Sequence, residues 1–149
     1  MKNKLQLQYL KPKLPDRPPS DDAPCNITES PRDKKDGGSI FRGYCAGVTC
    51  LNDVAEVKQY LMCAKPEVAK ASHLIYAYRF ESRGKLQENF DSDRDAGTGH
   101  ELLKMMRINN LTNVICLATR HCNPGYLHLG KKRFTYINEA CLQAHKSLN

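Results

Sequence analysis

Three sets of residues in this sequence have types and spacings that could do chemistry. Asp91, Asp93 and Asp95 alternate along FDSDRDAGTG, and Lys131, Lys132 and Arg133 run consecutively. Sulfur and imidazole also meet twice, as His121-Cys122 and as Cys141 with His145 four residues later. The aspartate triplet suggests a calcium loop, which needs glycine at its sixth position and a bidentate glutamate at its twelfth. Counting from Asp91, those places hold Ala96 and Leu102, with Gly97 and Glu101 each one residue out of step. The segment reads instead as a solvated acidic loop. A structural zinc site needs four converging ligands, but no C-x-x-C pair is present and Cys141 falls on an apolar helical face, where a free thiol is a small core residue. Thiol catalysis needs a base aimed at the sulfur and a group orienting that base. Adjacent His121 and Cys122 supply neither geometry nor an orienting acid. There is no G-x-S-x-G elbow, and His100-Glu101-Leu102-Leu103-Lys104 lacks the second histidine of a zincin helix. We therefore expect no catalytic residues, no metal and no cofactor.

The cationic run is the best local candidate for a binding surface. It sits where a helix is expected to begin, and cations there oppose the helix macrodipole, so their reason lies outside helix stability. An acidic partner, an RNA backbone or the chain's own aspartate loop would each supply one. On this reading Arg120, Lys131, Lys132 and Arg133 form a contact patch, with Asp91, Asp93 and Asp95 facing it or a second partner.

The elements that must position these residues follow from periodicity. SIFRGYCAGVT alternates as a strand from Ser39, and HLIYAYRFE is the clearest strand of all, with aromatics along one face. Between them Asn52 or Asp53 caps a helix carrying Val54, Val57, Leu61 and Met62 inward, and Pro66 breaks it or starts another turn. Residues 82–99 read as a loop, and Thr98 as the cap of a helix burying Leu102, Leu103 and Met106. TNVICLATR has the continuous apolar character of a central strand, HCNPGYLHLG reads as a loop, and a last helix from about Lys131 buries Phe134, Ile137, Ala140, Cys141 and Ala144. The order gives an α/β or α+β sandwich with helices packed over one sheet.

The chain has 149 residues and a net charge of +7, which suits one domain. Six of its eight prolines lie in the first 31 residues, so residues 1–38 read as a disordered Pro- and charge-rich arm ending at Gly37-Gly38, and residues 39–149 as the domain. Ser30-Pro31 is a candidate phosphorylation site in that arm. Seven cysteines, an odd number spread over regular elements, do not resemble a disulfide framework. No apolar run approaches the roughly 20 residues of a spanning helix, and no secretory signal follows Met1; we expect a cytoplasmic protein without membrane contact. Residues 98–149 hold seven basic side chains against Glu101 and Glu139, or +5. A field of that sign attracts acidic protein or phosphate.

Taken in order, SIFRGYCAGV, ASHLIYAYRF, FDSDRDAGTGHELL, LTNVICLATR and LGKKRFTYINEA resemble the signature segments of the Impact family, over residues 39–145. The likeness is to the C-terminal Impact-type domain of its eukaryotic members. It implies a fold like the second domain of ribosomal protein S5. It further implies a non-enzymatic, stress-responsive repressor that restrains the general-control kinase of initiation factor 2 by competing for that kinase's activator, in association with ribosomes or actin. The alternative is an RNA- or ribosome-binding module of the same fold. Two departures stand out: the aspartates alternate where the family has paired acids, and Tyr126 takes the place of the second glycine in the turn after the central arginine. The separate N-terminal partner-binding domain of those members has no counterpart in residues 1–38.

Overall fold

The computed structural model describes Leu14 and residues 26–148. Ten elements follow one another: β1 (Ile27–Glu29), β2 (Lys34–Asp36), β3 (Ser39–Gly47), α1 (Leu51–Ala64), α2 (Pro66–Ala69), β4 (His73–Ser82), β5 (Lys85–Asp91), α3 (Thr98–Ile108), β6 (Val114–Cys122) and α4 (Lys132–Lys146). All six strands join one antiparallel sheet, in the order β1-β3-β6-β4-β5, with β2 also paired to β3.

The most apolar strand, β6, lies at the centre of this order, as its sequence requires. Alternate residues of the inner strands feed two cores. Phe41, Cys45, Ile75, Ala77, Cys116 and Ala118 pack under α3 and α4, which contribute Leu102, Met106, Ile137, Cys141 and Ala144. On the other face Tyr44, Tyr76, Tyr78, Phe80, Ile115 and Leu117 pack under Val54, Val57 and Leu61 of α1 and Val68 of α2. Helices thus cover both faces of the sheet.

Several expectations change, among them Met62, which is exposed rather than inward, and His121-Cys122, which end β6 rather than begin a loop. Residues 26–38 are not arm: β1 and β2 add an edge to β3, and the arm reading now concerns residues 1–25, which, Leu14 apart, lie outside the described residues. Proline has no N–H for a ladder, and Pro31 falls where the pairing slips by two, from Glu29 opposite Tyr44 to Lys34 opposite Phe41. Gly37-Gly38, both at positive φ, form the tight turn between β2 and β3 rather than a flexible stop. Ser30 is buried, and its Oγ accepts from Gly43 N at 2.9 Å, so the Ser-Pro dipeptide is part of the sheet edge.

Residues 85–91 are likewise not loop, since Arg83 and Gly84 at positive φ turn the chain back as β5 along β4. Capping differs too. The N-cap of α1 is Cys50, with Asp53 Oδ2 accepting from Thr49 N at 2.9 Å, and the N-cap of α3 is Gly97, with the Thr98 hydroxyl turned back onto Asp95 O at 2.6 Å.

Candidate functional site

Asp95, Arg120 and Arg133 converge at one end of the sheet, but mostly inward. Arg120 lies in register with Phe41 of β3 and His73 of β4. Its side chain therefore shares the face of Phe41 and Ala118, and it is only 4% exposed. Its Nη1 lies 3.1 Å from both carboxylate oxygens of Asp95, and its Nε and Nη2 lie 3.2 Å from Ser39 Oγ. Its guanidinium carbon is 5.6 Å from the ring centres of both Phe41 and Tyr126. Asp95 is 3% exposed. From the first turn of α4, Arg133 donates to the same carboxylate through Nη1 and to Gly130 O through Nε. One buried carboxylate thus serves two guanidinium groups, leaving a surplus positive charge among the three.

The aspartate loop is built to deliver that carboxylate. Asp93 and Arg94 adopt positive φ, and Asp95 N donates to Ser92 O at 2.9 Å. The other two aspartates do different work. Asp91 Oδ1 accepts from Asp93 N, and Asp93 Oδ2 accepts from Leu74 N, both at 2.8 Å, which ties the loop to the start of β4. Ser92 Oγ accepts from Gly99 N at 2.9 Å and ties it to α3. The three carboxylates diverge, and among the described residues no three His, Cys, Asp or Glu side chains gather as a metal site would need.

The expected patch is therefore divided. Arg120 does not face outward; it is internal because its register position places it beneath Tyr126 and α4. Arg133 is half committed to Asp95, with 20% of its side chain exposed. Lys131 and Lys132 are exposed and make no ion pair among the described residues. Ser39 was missed, and the one signal that could have found it is its place at the head of the first signature segment.

Residues 37–145 match the family model described as the Impact N-terminal domain. The chain belongs to the Impact family. It is 34% identical over 105 residues to Protein IMPACT of Rattus norvegicus, covering 69% of this chain and 32% of that one. To the Protein IMPACT homolog of Saccharomyces cerevisiae it is 32% identical over 111 residues, covering 73% and 42%. To that of Schizosaccharomyces pombe it is 28% identical over 145 residues, covering 97% and 50%. It spans about a third to a half of the length of these relatives. Among solved structures, the two-domain translational regulator Yih1 superimposes with a TM-score of 0.52 at 24% identity, over 93% of this chain and 55% of that one. A crystal structure of a hypothetical protein gives 0.64 at 18%, over 83% and 58%. These two likenesses concern the fold alone. The family description names an N-terminal domain where the resemblance pointed to a C-terminal one, while the matched segment agrees closely.

Within this Impact-family domain the thiols fall into two groups. Cys45, Cys116 and Cys141 are buried, and Cys141 Sγ donates to Leu117 O at 3.3 Å. Contact with the Cys116 sulfur and burial push the Cys45 thiol far up, and Cys116 is raised likewise beside Cys141. A raised thiol pKa keeps Cys45 and Cys116 in the protonated, unreactive form. Cys122 is half-buried with Sγ 3.9 Å from Ser39 Oγ. It lies on β6, where neighbours point to opposite faces. His121 lines a separate cleft of about 480 Å³ with Ile40, Arg42, Thr119, Glu67, Lys70 and Asp33. In that cleft Arg42 is already paired with Asp33 at 2.7 Å and Glu29 at 3.0 Å. No described helix is long and apolar enough to cross a membrane.

Proposed function

We propose that this chain is a cytoplasmic, non-enzymatic regulator of translation that acts by protein–protein binding. On this reading it corresponds to the C-terminal, Impact-type part of the two-domain eukaryotic relatives, as the sequence resemblance implies. It restrains the initiation factor 2 kinase during amino-acid starvation by occupying the kinase's activator, in association with ribosomes or actin. The observation that carries the reading is the family match over residues 37–145, nearly all of the described fold. The surface we assign to it is Lys131 and Lys132, held in place by the Arg120–Asp95–Arg133 cluster behind them.

The test is phosphorylation of initiation factor 2 in amino-acid-starved cells that overproduce the chain. We expect phosphorylation to fall, and the Lys131→Ala/Lys132→Ala chain to lose most of that effect while keeping its melting temperature. Unchanged phosphorylation with the parent chain refutes the proposal. The RNA-binding alternative draws on the +5 of residues 98–149. It requires affinity for RNA that falls steeply with salt, and ribosome co-sedimentation at two salt concentrations with and without ribonuclease separates the two readings.

A further inference from the structure

Beside Lys131 and Lys132, which make no ion pair among the described residues, the chain displays apolar surface. Leu127 is 64% exposed and its neighbour Tyr126 43%. Among the described residues the other large exposed apolar side chains, Met62, Leu86 and Ile108, stand singly on α1, β5 and α3. Isolated exposed leucines are ordinary on protein surfaces. This one differs because its backbone is fixed. Leu127 N donates to Gly37 O at 2.7 Å, Asn123 N to Gly38 O at 2.9 Å and Tyr126 N to Asn123 O at 3.0 Å. The β2–β3 turn has no side chains at the place where the loop presses on it. A Cβ on Gly37 would lie 3.0 Å from Leu129 Cδ2 and 3.2 Å from Leu127 Cβ, and one on Gly38 would lie 3.0 Å from Tyr126 Cα. The Tyr126 ring is held in turn by the Arg120 guanidinium at 5.6 Å and the edge of His128 at 6.3 Å.

On the α4 side the charge beside this loop is positive. The first turn of α4 contains no acidic residue and no side-chain cap. The nearby carboxylates are already engaged, Asp36 with the Tyr136 hydroxyl and Asp95 with two arginines. A pinned loop spares a partner the cost of ordering it, and exposed lysines beside it favour an acidic neighbour.

We propose that residues 124–132 are a docking surface for an acidic protein segment bearing an apolar side chain, with Leu127 as the anchor and Lys131 and Lys132 as the charge-complementary rim. This rests on the reading of the chain as a binding module and supplies the chemistry of its partner. A protein fits better than a nucleic acid. Leucine has no group that reads a base edge, and Tyr126, with the Arg120 guanidinium on its ring, is not an open stacking platform. A second copy of the chain would set lysines against lysines.

The experiment is an NMR titration of the 149-residue chain with three probes: a short helical Glu/Leu peptide, its Glu/Ala counterpart and a short oligouridylate. We expect the Glu/Leu peptide to shift amides of residues 124–133 and to bind about tenfold more tightly than the Glu/Ala peptide. Leu127→Ala removes that preference at unchanged melting temperature, and Lys131→Ala/Lys132→Ala weakens both peptides. Equal binding of the two peptides, shifts elsewhere on the domain, tighter binding of the oligouridylate, or self-association through this loop overturns the proposal. Failure here with an intact effect on initiation factor 2 phosphorylation removes this surface and leaves the regulatory reading standing. Binding here without that effect does the reverse.

Discussion

Asp95 and Arg120 are almost wholly withdrawn from water, while Arg133 keeps a fifth of its side chain outside. Removing one partner of a buried pair leaves an uncompensated charge, at a cost of about 3–5 kcal/mol, whereas partly exposed pairs contribute about 1 kcal/mol or less. Asp95→Ala should therefore lower the unfolding free energy by about 3–5 kcal/mol and Arg133→Ala by about 1 kcal/mol, measured by urea denaturation. Similar losses for the two would show that the carboxylate is not acting through Arg120. A second charged cluster gives a pH dependence. Glu88 accepts from Arg107 Nε at 2.9 Å and from Arg79 Nε at 2.9 Å, and these bonds, Arg107's first, hold its carboxyl below the ordinary 4.5. A carboxyl lowered by folding stabilises the fold above its ordinary pKa, and that contribution is lost as pH falls through the shifted value. Glu88→Gln should be less stable than the parent at neutral pH and should converge with it below about 4.5, as melting temperatures across that range would show. At this scale sequence reasoning found Asp95, Arg120 and Arg133, but not their direction. Residue type reports charge, whereas burial is set by which strand position lies beneath α4.

The close approach of α4 to β3 depends on one missing side chain. A Cβ on Gly43 would lie 2.4 Å from the Ala140 carbonyl carbon, a backbone atom that cannot swing away. Gly43→Ala should force the helix outward and cost about 1–3 kcal/mol, read as a lower urea midpoint together with shifted resonances along α4. An unchanged midpoint would show that the two elements part easily. Strand β3 and helix α4 were both legible from their periods, because each buries a full face. Strand β5 was not. KLQENFD lies at the sheet edge with most of its residues exposed, so no alternation of apolar and polar residues marks it, and its turn is Arg83-Gly84 rather than Asn-Gly.

On the scale of the molecule, the domain begins before its first long strand. β1 and β2 complete one edge of the sheet, and Thr28 Oγ1 donates to Ala144 O at 2.6 Å across 116 residues. A chain shortened to begin at Ser39 would bare that edge of β3, and exposed edges invite pairing with other chains. Such a chain should melt lower than the 149-residue chain and self-associate with rising concentration, as calorimetry and light scattering would show. Equal stability would restore the arm boundary at residue 38.

The sequence alone determined the central strand, the amphipathic helices and the order of the long elements, because burial of whole faces imposes a period on the residues that make them. It also concentrated the positive charge in residues 98–149. The edges of the sheet and the aim of the charges were decided only by tertiary structure. A strand such as β2 or β5 gains its place from a neighbour's unpaired backbone rather than from its own side chains. Arg120 turns inward for a comparable reason. Asp95, 25 residues away, reaches it only once the loop has been tied to β4 and α3.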